Sequence, residues 1–258
     1  MGYQQFKSSL ATIMYDDEIV GRNCEKLFHR DWLQANSHCA LVERGKAVMF
    51  EYRGTDLVFK QYHRGGLAGR LVEKSYLYSR LPNTRVWREF NMLRAMRAMG
   101  LPVPRPVAAR CVSVPPLGYR GALITERVPD SRTLTDALCD KPLANSLWWQ
   151  LGSLIARFHR RNVYHADLNA NNILLTGSDE FYLIDFDKGA IRSPLSRQDA
   201  EANVTRLRRS LDKLQGRNPV FHFTDENWRA LQRGYEGDGQ DGGENEGSKS
   251  ILRSQASG

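Results

Sequence analysis

The segment from Leu151 to Asp187 constrains the fold of this chain most. Leu151, Leu154, Ile155 and Phe158 fall at i, i+3, i+4 and i+7, the buried stripe of a helix expected to end near Arg160 or Arg161. The polar stretch Tyr164-His165-Ala166-Asp167-Leu168-Asn169-Ala170-Asn171-Asn172 follows it directly. Two short apolar runs come next, Ile173 to Leu175 and Phe181 to Phe186, separated by Thr176-Gly177-Ser178-Asp179-Glu180. The glycine and polar residues of that separator suit a turn, so the pattern predicts a hairpin. Such a hairpin returns the chain beside its start and brings Asp185, thirteen residues after Asn172, back towards it.

These segments resemble the catalytic loop and metal-binding loop of the protein-kinase-like superfamily. Phosphoryl transfer needs an oriented hydroxyl, a metal bridging the phosphates and compensation of the charge on the transferred group. The resemblance makes Asp167 the base that accepts the proton of the acceptor hydroxyl, and Asn172 with Asp185 the oxygen ligands of magnesium. His165 is expected to brace the loop rather than to do chemistry. Upstream, Lys60 in Leu57-Val58-Phe59-Lys60 fits the lysine that reaches the α- and β-phosphates of ATP. Glu89 in Trp87-Arg88-Glu89-Phe90 fits its ion-pair partner, and Glu126 and Val128 would offer backbone groups to the adenine.

There are departures from the pattern. The phosphate-covering loop is reduced to Glu43-Arg44-Gly45-Lys46, where Gly45 stands in place of three glycines. Ala166 replaces the arginine that pairs with a phosphorylated activation segment in regulated protein kinases, and Asp187 replaces the glycine after Asp-Phe. Only about 50 residues separate Asp185 from a Gly-, Glu- and Ser-rich tail, too few for the helical platform that binds protein substrates. A compact acceptor is the consequence.

The remaining pattern supports an α+β, protein-kinase-like fold of two lobes. Ala47 to Tyr52 and Leu57 to Tyr62 read as strands joined by the turn Arg53-Gly54-Thr55-Asp56, the start of an N-terminal antiparallel sheet. Val86, Phe90, Leu93 and Met96 recur at helical spacing between Thr84 and Met99, with Gly100 and Pro102 as stop signals, so one main helix packs on that sheet. Pro102, Pro104 and Pro106 lead through Val107 to Val112 and on to a strand at Ala122-Leu123-Ile124. The expected division is an N-terminal lobe with its N-terminal extension over residues 1–124 and a hinge at 125–129. A mainly helical C-terminal lobe follows at 130–235, and residues 236–258 are too poor in apolar side chains to order.

Six segments narrow the resemblance: Tyr62-His63-Arg64-Gly65-Gly66-Leu67, Trp87-Arg88-Glu89, Gly100 to Ala108 (Gly-Leu-Pro-Val-Pro-Arg-Pro-Val-Ala), Leu123 to Arg127, His165 to Asn169, and Ile184 to Gly189. Together they are similar to the 3-deoxy-D-manno-octulosonic acid (Kdo) kinase family, over residues from about 30 to 235. That resemblance implies ATP- and magnesium-dependent phosphorylation of the Kdo 4-hydroxyl on a Kdo-lipid A precursor, Kdo-lipid IVA. It further implies a peripheral protein on the cytoplasmic face of the Gram-negative inner membrane.

The formal charge of +8 draws the chain to polyanions of any kind. Nine basic residues against two acidic ones from Lys60 to Gly100, and eight against three from Lys188 to Arg217, suit phosphates, a sugar carboxylate and an anionic membrane surface. No specific nucleic acid is expected. Leu67 to Leu81 is a candidate for contact with the membrane interface, with core packing as the alternative. A heptose or other small-molecule kinase, a compact atypical protein kinase, and an inactive kinase-fold module binding anionic lipid or nucleic acid are the competing readings. No run is long and apolar enough to span a bilayer, and the start, with Leu10 to Met14 followed by Asp16, Asp17 and Glu18, is unlike a signal peptide. Cys24, Cys39, Cys111 and Cys139 lack metal-ligand spacing and are expected as reduced core thiols.

Overall fold

Arg53 and Gly54 both adopt left-handed backbone, with φ of +52° and +75°, in the computed structural model, which describes residues 2–36, 42–44, 47–62, 76–77, 80–114 and 118–237. Two consecutive positive φ values make the tight hairpin turn whose twist matches that of its strands. Strand β4 (Ala47–Tyr52) therefore passes into β5 (Thr55–Gln61) through two residues, with Tyr52 facing Thr55, and Thr55 and Asp56 belong to the strand rather than to the turn. Around this hairpin lies an antiparallel sheet ordered β1-β2-β7-β8-β5-β4-β3, with β6 beside the start of β8. Its other strands are β1 (Tyr3–Lys7), β2 (Ala11–Asp16), β3 (Val42–Arg44), β6 (Tyr76–Leu77), β7 (Pro106–Val114) and β8 (Gly118–Glu126).

The two faces of β8 follow its period of two. Gly121 and Leu123 face helix α2 (Arg85–Ala98), and Ala122 and Ile124 face the opposite way. Helix α2 ends as its sequence predicts: Gly100 takes φ +72°, its N–H donates to the Arg97 carbonyl, and that of Leu101 donates to Met96. Met96 and Leu101, brought together by that cap, both enter the core. The other face of the sheet is covered by the N-terminal extension. Val20, Leu27, Phe28 and, on α1 (Arg30–Asn36), Leu33 pack there against Leu57 and Ile124, and β1 and β2 lengthen the sheet beyond β7.

Beyond β8 the chain is mainly helical. Helices α3 (Leu134–Asp140), α4 (Asn145–Arg160), α5 (Arg197–Gln215) and α6 (Asp225–Gly237) surround a small sheet of β9 (Ser131–Thr133), β11 (Ile173–Thr176) and β12 (Phe181–Leu183). β10 (Val163–Tyr164) pairs with β13 (Ala190–Ile191). Thr133 and Ser196 cap α3 and α5 by accepting from the N–H groups of Asp136 and Asp199. Helices α4 and α6 cross through glycines: a Cβ on Gly152 would lie 1.9 Å from the Leu231 carbonyl oxygen, and one on Gly234 1.9 Å from that of Trp149.

Several expectations are corrected. β12 stops at Leu183, not Phe186, because Asp185 turns into left-handed backbone at φ +65°. Thr125 and Glu126, placed in the hinge, still belong to β8, and α6 runs through Gly237, two residues into the stretch expected to stay unordered. Cys139 is exposed rather than in the core, whereas Cys24 and Cys111 are buried free thiols. Gly45, Cys39, the Arg64-Gly65-Gly66 segment, most of Leu67 to Leu81 and the rest of the tail lie outside the described residues. Among the described residues no helix is long and apolar enough to cross a membrane.

Candidate active site

The β11–β12 hairpin does what its spacing predicts: Ile173 faces Leu183, and the Ile184 N–H donates to the Asn172 carbonyl at 3.0 Å. Asn172 and Asp185 thereby reach the wall of one cleft of about 430 Å³ that opens against the underside of β5 and β8. Lys60, Glu89, Glu126 and Val128 line the same cleft. Six of the eight residues singled out from sequence are brought together there. Asp167 lies on an adjoining groove, and Gly45 is outside the described residues.

Lys60 projects from β5 between two carboxylates. Its Nζ lies 3.2 Å from Glu89 Oε2 and 2.5 Å from Asp185 Oδ1. Burial works against its charge, but Glu89 and Asp185 outweigh burial and hold its pKa above the ordinary lysine value. Glu89 is 3% exposed. A lone carboxylate at that depth would be costly, and two donors compensate it, Lys60 and the Tyr62 hydroxyl. Burial and the neighbouring Glu89 charge push the Tyr62 phenol well above its usual pKa, so it stays a donor.

At the edge of the sheet, the Glu126 N–H donates to the Arg105 carbonyl at 2.8 Å, and Glu126 and Val128 both line the cleft. The Val128 carbonyl accepts from Ser131 Oγ at 2.7 Å, while its N–H makes no hydrogen bond among the described residues. A carbonyl and an N–H two residues apart are the pair that an adenine edge requires. Arg105 ties this edge to the N-terminal hairpin through the fully buried Asp16 at 2.5 Å, with Glu18 at 2.9 Å and Glu126 at 3.5 Å.

The Asp167 loop is held from inside. His165 is buried, accepts from the Asp167 N–H at Nδ1 (3.1 Å) and, with the proton that this leaves on Nε2, donates to the Ile184 carbonyl (2.9 Å). Burial keeps its pKa below the ordinary value despite the Ile184 carbonyl and the Asp185 and Asp167 charges, so it is a neutral brace between the two acid-bearing loops. Phe186 packs against it with the rings tilted by 48° and their centroids 4.5 Å apart. Asn172 Nδ2 donates to the Asp167 carbonyl at 2.9 Å, which turns its amide oxygen the other way.

Three contributors were missed at the sequence level. Asn203 on α5, 1% exposed, accepts the His165 N–H at 3.0 Å and donates to the His165 carbonyl at 2.9 Å. Arg206, one turn further along α5, donates from both Nε and Nη2 to Asp167 Oδ1, at 2.9 and 2.6 Å. Arg85 at the start of α2 binds Asp187 Oδ1 at 2.6 Å, which gives the residue in place of the usual glycine a structural partner. No local pattern marks these residues, because each partner lies 38 to 102 positions away.

A model of the lipopolysaccharide kinase (Kdo/WaaP) family matches residues 32–235. A 3-deoxy-D-manno-octulosonic acid kinase of Xanthomonas euvesicatoria is 43% identical over 87% of this chain and 89% of its own length. The protein of that name from Xanthomonas campestris is 44% identical over 69% of this chain and 70% of its own, and that from Vibrio parahaemolyticus is 34% identical over 81% and 88%. Among solved structures, WaaP in complex with acyl carrier protein superposes with a TM-score of 0.52 at 16% identity, covering 82% of this chain and 85% of WaaP, a likeness that carries the fold alone. On the extent of the family match and the identity to these relatives, the chain belongs to the Kdo/WaaP lipopolysaccharide kinases, phosphotransferases built on the protein-kinase-like fold.

Proposed function

We propose that this kinase transfers the γ-phosphoryl group of magnesium-bound ATP to the 4-hydroxyl of the Kdo residue on a Kdo-lipid A precursor, Kdo-lipid IVA. The observation that carries the reading is the convergence of Lys60, Glu89, Asn172 and Asp185 on one cleft, beside the groove that holds Asp167. The names of the relatives supply the acceptor.

The residues fit the roles. The Glu126 carbonyl and Val128 N–H would hold the adenine edge, and Lys60, kept charged and positioned by Glu89, would bind the α- and β-phosphates. The Asn172 amide oxygen and the Asp185 carboxylate are hard oxygen donors suited to Mg²⁺. Among the described residues no three His, Cys, Asp or Glu side chains cluster as a dedicated metal cage. That suits an ion which takes one or two protein ligands and completes its shell with phosphate and water. When bound, the metal neutralises charge on the phosphates. Holding the phosphates with Lys60 and the metal with Asp185 would require their 2.5 Å contact to open.

In the transfer, the acceptor oxygen forms its bond to Pγ as the bond from Pγ to the bridging oxygen breaks. ADP leaves, and the hydroxyl proton passes to Asp167. Both Arg206 bonds go to Oδ1, so Oδ2 is the atom open to that proton. The acceptor's anionic groups and the basic surface support action at the cytoplasmic face of the inner membrane, as a peripheral protein with no specific nucleic-acid partner.

The test is transfer of labelled γ-phosphate to purified Kdo-lipid A precursor, run with Asp167→Ala and with heptose-bearing and protein acceptors. Label on the Kdo sugar that disappears in the variant is the expected result. Transfer only to heptose or to protein overturns the named acceptor, and full activity of the variant overturns the role of Asp167.

A further inference from the structure

Helix α5 carries basic residues on two sides, and the two sides are treated differently. Arg208 is paired with Asp212 and Asp225, each at 2.8 Å, and Arg197 with Glu201 at 2.7 Å. Arg206, Arg209, Lys213 and Arg217 recur at i, i+3, i+7 and i+11, a single stripe along the helix and just past its end. All four are exposed, and all four line the groove of about 560 Å³ that also contains Asp167. Arg206 is bound to Asp167, whereas Arg209, Lys213 and Arg217 have no ion-pair partner among the described residues.

Like charges four residues apart on a helix repel one another, so this row works against its own helix unless something anionic lies along it. The helix dipole accounts for Lys213 and Arg217 near the C-terminus of α5, but not for Arg206 and Arg209 in its middle. The stripe is also held fixed relative to the candidate base. Ser210, between Arg209 and Lys213, accepts the Ala170 N–H at 3.3 Å, and Asn203 holds His165 from the preceding turn.

We propose that this groove is the acceptor site, and that Arg209, Lys213 and Arg217 bind the carboxylate and phosphate groups of a polyanionic sugar acceptor while Arg206 marks its reacting end. The inference rests on the phosphotransferase reading above and adds where the acceptor lies and what recognises it. Seven residues of helix separate Arg206 from Lys213, or roughly 10 Å. The groove therefore selects acceptors whose anionic groups are spread over about that distance from the reacting hydroxyl, and it rejects neutral sugars. Arg97 and Arg157, by contrast, donate to the carbonyls of Val103 and Gly100 at 3.3 Å, and the pockets that they line do not contain Asp167.

The test neutralises the stripe in the full chain with Arg209→Gln, Lys213→Gln and Arg217→Gln together, exposed positions whose change leaves the core untouched. With Kdo-lipid A precursor in non-ionic detergent, kcat/KM for the acceptor is expected to fall about tenfold or more, with a shallower dependence on salt. KM for ATP and acceptor-free ATP hydrolysis stay within about twofold, because the nucleotide cleft is not lined by these residues. The wild type is expected to prefer the phosphorylated over the dephosphorylated acceptor, and the triple variant to lose that preference. It should do so with a deacylated, water-soluble acceptor as well, which places recognition on the sugar and its anions rather than on the acyl chains.

Acceptor kcat/KM within about twofold of wild type would overturn the proposal while leaving the catalytic reading intact. Equal loss of binding to acceptor-free phosphatidylglycerol vesicles, with acceptor discrimination retained, would overturn it in favour of a membrane contact. Direct binding of the acceptor in the absence of ATP separates the two readings. Binding by the wild type that is lost in the triple variant upholds the groove even where no phosphate is transferred.

Discussion

Gly152→Ala is the substitution whose outcome the packing defines most sharply. The added methyl carbon would sit 1.9 Å from the Leu231 carbonyl oxygen and 2.8 Å from the Tyr235 amide nitrogen, both backbone atoms of α6 that no rotamer change can move. To restore an ordinary contact of about 3.2 Å, α6 must retreat by about 1.3 Å, and since a gap of about 1 Å already forfeits about half of the dispersion energy, the crossing loses at least that share. Alanine's higher helix propensity returns only about 1 kcal/mol. We expect a net loss of about 3–5 kcal/mol, above the usual overpacking range of about 1–3 kcal/mol because the clash is between backbones that no rotamer change relieves. At about 2–4 °C per kcal/mol, the midpoint of thermal unfolding followed by circular dichroism should fall by about 10 °C. Gly234→Ala should behave alike, because its Cβ would meet the Trp149 carbonyl at the same 1.9 Å. The separation forced by one alanine admits the other, so the double variant should cost at least about 1 kcal/mol less than the two single effects combined. Tyr235 rides on α6 and holds His159 at 2.7 Å, so the retreat also loosens the anchor beneath the His165 loop. A Gly152→Ala midpoint within about 3 °C of wild type, or strict additivity in the double variant, would refute the reasoning.

Asn203→Ala leaves the buried N–H and C=O of His165 without partners, and should cost about 2–5 kcal/mol in denaturant unfolding while lowering kcat more than KM for ATP. An unchanged kcat would show that Asn203 does not position the catalytic loop. His159 and His165 both have pKa values held below ordinary by burial, so the unfolded chain binds protons that the folded one refuses. Stability is fully present above the unfolded value of about 6.5 and declines as pH falls below it, by at most about 1.4 kcal/mol per pH unit for each histidine. Unfolding free energies that stay flat from about pH 7.5 to 5 contradict this. Burial pushes the Cys111 thiol up to about 11, whereas Cys139 is exposed. Iodoacetamide at about pH 8 should label Cys139 in the folded protein and spare Cys111, and mass spectrometry finding the reverse would be decisive against that burial.

Some of this molecule could be read along the chain because the interactions that define it are local. The α2 stripe, its Gly100 terminator and the α4 stripe follow from helical periodicity, and the hairpin from Ile173 to Leu183 follows from turn composition flanked by apolar runs. Because that hairpin has a definite length, the nearness of Asn172 and Asp185 was implicit in their spacing. The β4–β5 turn was legible in kind but placed with two residues too many, since only backbone geometry distinguishes Arg53-Gly54 as a complete turn.

Other features were settled by tertiary structure. Residues 3–16 hold only one apolar run, Leu10 to Met14, with no second run to announce a strand pair, and β2 found its hydrogen-bond partners on the open edge of β7, nearly a hundred residues away. The glycines of α4 and α6 look like helix weaknesses in sequence and prove to be the points where two backbones meet. Above all, α5 offered charge without direction. Its periodicity put Arg206, Arg209, Lys213 and Arg217 on one stripe, but only packing against the loop from His165 to Asn172 decided that this stripe, and not the one bearing Arg208, faces Asp167. Local periodicity fixes which side chains share a face, whereas the element that face meets is chosen by long-range burial and hydrogen bonding, whose partners lie too far apart in sequence to leave a local mark.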